Sequence, residues 1–183
     1  MNLFSANQLM WVAFIVGNSA PLFFIVLYKT KKISRELFNL YFLGVLLGLT
    51  WEIPFALAGE SFHLILIDWP IDLPLVRNIT YSFIDGLIFL AGVFLAKAFL
   101  KKKQFLYNYN STALLIMILW GSFSEFFVDL NGNGKLWLFI ENWYNPVFIT
   151  INDNSLTIIP QLIWFVAPIL YYFTVLKCLS KKI

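Results

Sequence analysis

Three carboxylates interrupt stretches of sequence that are otherwise apolar: Glu52 within Gly44–Ala58 (GVLLGLTWEIPFALA), Asp85 within Asn78–Leu100, and Glu125 within Thr112–Asp129. A carboxylate at hydrocarbon depth costs about 2.5 kcal/mol or more on insertion scales, so it faces a bundle interior and usually has a task there. The neighbours of each acid are chemically suited to a site. Trp51 places an indole beside Glu52, Thr50 a hydroxyl, and Pro54 releases a backbone carbonyl about one turn away. Gly48 lies four residues before Glu52 on the same helical face, which leaves open space under the carboxyl. Tyr81 stands in the same relation to Asp85, and Gly121 and Ser122 precede Glu125 by four and three residues. A fourth apolar stretch carries Gln161 and Trp164 three apart, between Pro160 and Pro168. The structural alternative for each acid is a neutral carboxyl hydrogen-bonded to another helix.

The elements that must position these residues follow from composition. The chain has 183 residues, 60% hydrophobic and only 13% charged, with a mean hydropathy of +0.77. A water-soluble domain of this size cannot cover so much apolar surface, which predicts an all-α, polytopic membrane protein. Crossing the hydrocarbon core takes roughly 20 apolar residues. Five stretches qualify: about 8–28, 37–58, 78–100, 112–129 and 156–176, forming a single transmembrane bundle over 1–183. The first lacks a basic leader and a small-residue cleavage site, so it reads as a retained span. Lys29, Lys31, Lys32, Arg35, Lys97, Lys101, Lys102, Lys103, Lys177, Lys181 and Lys182 all fall on one side of these spans. Glu60, Asp68, Asp72, Asp129, Glu141 and Asp153 fall on the other, with only Arg77 and Lys135 among them. By the positive-inside rule the N-terminus is outside and the C-terminus cytoplasmic. The basic excess therefore concerns topology rather than nucleic acid. The expected location is an integral multi-pass membrane, the endoplasmic reticulum in a eukaryote or the inner membrane in a bacterium.

The links carry weaker signals. Gly59–Arg77 is apolar but broken by Pro70 and Pro74, so it reads as an interfacial segment over the bundle mouth with Trp69 at headgroup level. His63, the one histidine, has no His or Cys at ligand spacing, and no metal is expected. Asp129-Leu-Asn131-Gly-Asn133-Gly134 opens like a calcium loop. Ile140 stands where the bidentate glutamate belongs, which favours a glycine turn at a helix end. Trp137, Trp143 and Tyr144 read as an aromatic belt at the outer interface. Asn18, Ser19 and Pro21 read as a helix-packing patch, and the single cysteine, Cys178, as an inert thiol.

Depth brings the polar residues together. At ~1.5 Å per residue, Glu52 lies about 6 Å past the middle of its span. Asp85, Glu125, Gln161 and Trp164 fall at similar depth, below the non-cytoplasmic mouth. Three carboxyls in one apolar cavity cannot all ionise, which leaves a proton donor beside an ionised acceptor. With aromatic walls, that arrangement suits protonation of a carbon–carbon double bond in a greasy substrate. Glu52, Asp85, Glu125 and Trp164 are the expected catalytic residues, and Trp51, Tyr81, Trp120 and Gln161 the expected substrate-binding ones. No cofactor is expected.

From about Arg35 to Leu176 the pattern resembles the emopamil-binding protein family, the EXPERA-domain proteins, which include sterol Δ8–Δ7 isomerases and the sigma-2 receptor. The matching residues are Glu52 in the second span, Asp85 shortly after Asn-Ile-Thr in the third, Gly121 with Glu125 in the fourth, and Gln161-Leu-Ile-Trp164 with Pro168 in the fifth. The resemblance implies a five-helix fold that binds a sterol or cationic amphiphile, with the acids catalytic in the isomerases. The isomerases carry a histidine four residues before the span-two glutamate, where this chain has Gly48; Asp85 replaces a glutamate and Gln161 an asparagine. Trp51-Glu52 also resembles the second span of membrane-bound terpene cyclases. The expected function is an intramembrane acid–base isomerase of a sterol or isoprenoid lipid. The alternatives are a terpene cyclase and a non-catalytic lipid-binding protein. The expected partner is a hydrophobic lipid in the membrane, and a homodimer is compatible with the sequence.

Overall fold

The computed structural model describes residues 5–101, 104–151 and 154–180. Lys102, Lys103, Asp153, Lys181 and Lys182, which entered the charge argument, lie outside the described residues. Five helices dominate: α1 (Ala6–Lys29), α2 (Arg35–Ala58), α3 (Pro74–Leu100), α4 (Ser111–Gly132) and α5 (Ile158–Ser180). Each is long and apolar enough to cross a membrane. Their starts are marked locally. Ser5 and Gln8 form a capping box at α1, Ser34 caps α2, Asn110 caps α4, and Pro74 occupies the first turn of α3, where a missing N–H costs nothing.

The helix bundle is built on α3, which packs on α1, α2 and α4, while α5 closes against α4 and α2. Small residues set the closest approaches. A methyl added at Gly86 would lie 3.0 Å from the Tyr41 carbonyl oxygen, and one at Gly44 would lie 3.0 Å from Gly86 Cα, so α2 and α3 meet backbone to backbone. Gly121 likewise admits Pro168 and the Trp164 carbonyl of α5. Asn18 donates to Thr80 across the α1–α3 contact, in keeping with the packing role expected of that patch.

Strands appear where the sequence reading placed links and, at Leu156 and Thr157, the start of the fifth span. The segment after α2 contains β1 (His63–Ile65), which pairs antiparallel with β2 (Trp137–Phe139) after α4, in the register His63 to Phe139. A hairpin, β3 (Val147–Ile151) with β4 (Asn154–Thr157), leads directly into α5. The β1–β2 ribbon carries its own apolar core of Met10, Phe62, Trp69, Leu136, Trp137 and Phe139. This corrects two expectations. Trp69 and Trp137 are 5% and 7% exposed and sit inside this core rather than in an interfacial belt, because the ribbon needs large side chains to bury against α1 and α2. Trp143 remains 91% exposed. The Asp129–Gly134 stretch is the end of α4: Asn133 is its C-cap, and Gly134 adopts φ +74°, the left-handed turn that glycine permits.

Candidate functional site

A cavity of about 350 Å³ lies beside α3, under the β1–β2 ribbon. Its size falls in the range of small-molecule sites. Leu9, Val12, Ala13 and Val16 of α1 form one wall, and Phe127, Val128 and Asn131 of α4 another. Val12, Val16 and Phe127 are also exposed on the outside of the bundle, so the cavity opens sideways between α1 and α4.

Of the eight residues singled out in the sequence, six line this cavity: Trp51, Glu52, Tyr81, Asp85, Glu125 and Trp164. Glu52 accepts a hydrogen bond from the Asn78 amide at 2.7 Å, and Asn78 is wholly buried. Asp85 sits against Gly48. A methyl at Gly48 would come within 2.5 Å of Asp85 Oδ2, so the space expected under Glu52 is occupied by the neighbouring helix's carboxyl. The Trp51 indole is directed at that same carboxyl, whose Oδ2 is buried and has no hydrogen-bond partner among the described residues. Trp164 stacks on Phe89 at 5.2 Å between centroids and meets Trp51 edge-on at 5.7 Å. The three rings form a continuous aromatic cluster, of which Trp51 and Trp164 line the cavity with the acids.

Two residues stand elsewhere. Trp120 turns away from the cavity, donating its indole N–H to the Ile88 carbonyl at 2.8 Å and covering Gly92. Gln161 donates to Asp129 Oδ2 at 2.8 Å, so it holds a cavity residue without lining the cavity itself.

The cavity also includes residues that sequence reasoning had assigned to links. Asp129 is 1% exposed and is a fourth carboxyl on the wall. Its spacing of four from Glu125, one turn along the same face, was the available signal. His63 and Trp137 reach the cavity from β1 and β2. His63 stacks on Phe139 at 4.8 Å, and its Nε2 has no partner among the described residues. Burial, assisted by the nearby Arg77 charge, pushes the imidazole down to about 3, so it is neutral at physiological pH. Nothing in the sequence announces a ribbon joining residues 74 positions apart, so these two carried no local signal.

The chain matches no protein-family model, and neither curated proteins nor solved structures give a significant match. The site must therefore be interpreted from its own chemistry. An aromatic, carboxyl-rich cavity with an apolar side opening can admit a hydrophobic molecule and offer it both proton donors and proton acceptors.

Proposed function

We propose that the protein is an intramembrane acid–base isomerase that shifts a carbon–carbon double bond in a sterol or isoprenoid lipid. The observation that carries this reading is the convergence of Glu52, Asp85 and Glu125 on a cavity walled by Trp51 and Trp164. A protonated carboxyl supplies its proton to one alkene carbon, and the π electron pair becomes the new C–H bond. The adjacent carbon is left as a cation facing the indole walls, which stabilise positive charge without donating a nucleophile. A carboxylate then removes a neighbouring proton, and that C–H electron pair becomes the shifted double bond. The proton count and the oxidation state are unchanged, so the cycle consumes no co-reactant. Substrate enters sideways from the lipid between α1 and α4.

The same reading orients the bundle with the hairpin end outside and the C-terminus in the cytoplasm. Lys29, Arg35, Lys97, Lys101 and Lys177 cluster at one end of the helices, whereas Asp68, Asp72 and Glu141 lie near the ribbons. The resemblance to the emopamil-binding family is in accord with this chemistry. Here, however, His63 of the ribbon brings an imidazole to the cavity, and the position occupied by the isomerases' histidine is Gly48.

The test is to incubate purified protein with Δ8-sterols and with linear isoprenoids in deuterated water. Deuterium at carbon with a moved double bond is the expected result. Glu52→Gln should remove turnover and leave ligand affinity within about tenfold, because the amide keeps the shape and loses the transferable proton. Tight lipid binding with no deuterium uptake from any substrate would replace the enzyme with a lipid-binding protein.

A further inference from the structure

The four polar side chains at the ribbon end of the cavity have no part in the proton transfers above. Among the described residues, His63 Nε2, the Tyr81 hydroxyl, Trp137 Nε1 and Asp129 Oδ1 are each buried with no hydrogen-bond partner. All four residues line the cavity. They come from four separate elements, β1, α3, β2 and α4, and they gather around one ring. Trp137 lies 6.3 Å from His63 and 5.6 Å from Tyr81, centroid to centroid. The Trp137 indole and Asp129 face each other without closing a hydrogen bond. Orphaned buried donors and acceptors are rare and costly, and several meeting at one end of a cavity call for a polar occupant.

Resting on the lipid reading above, we propose that this ribbon end is a hydroxyl-binding subsite. It anchors the alcohol headgroup of an uncharged amphipathic lipid while the apolar body lies along the Trp51–Trp164 wall. A hydroxyl has one proton to give and two lone pairs to fill. Asp129 Oδ1 or an unprotonated His63 Nε2 accepts the proton; the Tyr81 hydroxyl and the Trp137 N–H donate to the lone pairs. A phosphate or carboxylate headgroup would find no Lys or Arg among the lining residues to balance its charge. The Gln161 amide fixes the other oxygen of the Asp129 carboxyl, leaving Oδ1 directed at the occupant. His63 is held by its stack on Phe139, so the subsite is preformed. The ribbon thus selects a ligand by its headgroup, and the acids react with its body.

Equilibrium binding to the full chain in lipid nanodiscs separates the possibilities, using cholesterol with cholestene, which lacks its hydroxyl, and geranylgeraniol with the corresponding hydrocarbon. The alcohol of at least one pair should bind about tenfold or more tightly than its hydrocarbon, because the hydrocarbon leaves the polar atoms unpaired. Tyr81→Phe, which deletes one oxygen, and His63→Phe, which preserves the aromatic stack, should each reduce that preference several-fold. Hydrocarbon affinity in both variants should be unchanged or higher, which also shows that they fold. Equal binding of alcohol and hydrocarbon, or a preference unaffected by either variant, would overturn the subsite and leave the lipid reading standing. Failure of all four probes to bind would overturn both together.

Discussion

The Asn78–Glu52 hydrogen bond is the shortest polar link across the α2–α3 contact at the cavity, 2.7 Å long and shielded from solvent on both sides. Removing one member leaves the other buried and unpaired. Asn78→Leu should therefore destabilise the protein by about 1–3 kcal/mol. The double variant Asn78→Leu with Glu52→Leu should recover much of that loss, since both polar groups are then gone. Thermal unfolding in detergent reads the difference, and an additive double variant would show that the pair is not coupled. Trp164 invites a different comparison, because its ring both packs and faces the acids. Trp164→Phe should keep part of the turnover, whereas Trp164→Leu should lose it with little change in ligand affinity. A π-face is worth about 0.5–2 kcal/mol to a cation and far less to a neutral alkene. Equal rates for the two variants would make the ring a packing residue only. His63 sets a pH dependence. Its folded-state value near 3 lies below the ordinary 6.5, so the unfolded chain binds the extra proton between those limits. Stability from this group is complete above about 6.5 and declines as pH falls toward 3, by up to about 1.4 kcal/mol per unit. Unfolding midpoints between pH 4 and 7 should fall less steeply for His63→Phe than for the wild type.

At the scale of elements, the α2–α3 crossing is the contact on which site geometry depends, since it carries Glu52 and Asp85 on opposing faces. Glycines make it possible. An added methyl at Gly86 would stand 2.7 Å from Val45 and 2.9 Å from the Tyr41 ring, with the Tyr41 carbonyl oxygen behind. A ring can shift, but helix backbone cannot do so cheaply, so Gly86→Ala should separate the helices and cost about 1–3 kcal/mol. Thermal unfolding checks this, and unchanged stability would mean the helices slide past each other freely. The β1–β2 ribbon is the second such element. Phe55 of α2 meets Phe62 and Phe139 at 4.9 and 5.7 Å, which ties the ribbon to the helix bearing Glu52. Its three paired positions are few for a free-standing strand pair, and it persists because its aromatic side chains bury against the helices.

For the whole molecule, the proposed orientation makes a direct prediction. With Cys178 replaced by serine, single cysteines at Asp72 and Glu141 should react with an impermeant maleimide applied from the non-cytoplasmic side. One at Lys31 should react only after the membrane is opened. All three positions are exposed, so access is limited by the bilayer alone. Labelling of all three from one side would mean that α2 does not cross the bilayer and would overturn the five-span arrangement.

Five membrane-length helices and their approximate limits were legible in the sequence. Hydrocarbon solvent imposes a simple rule on runs of residues, and prolines and charges punctuate those runs. The meeting of Glu52, Asp85, Glu125 and Trp164 in one cavity was legible for the same reason, because helical rise converts position along each helix into height. Height leaves rotation open: Trp120 and Gln161 stand on the right helices yet turn toward Ile88 and Asp129, a choice made by neighbouring backbone and side chains. Nor does height show which gap a small residue fills, and Gly48 proved to receive the carboxyl of Asp85. The ribbon was decided by tertiary structure alone. His63–Ile65 and Trp137–Phe139 are three-residue strands with no partner nearby in sequence, and burial of Trp69, Trp137 and Phe139 over the cavity is what makes them strands. Local sequence encodes the solvent a helix can tolerate; the polar end of the site exists only once distant segments pack around it.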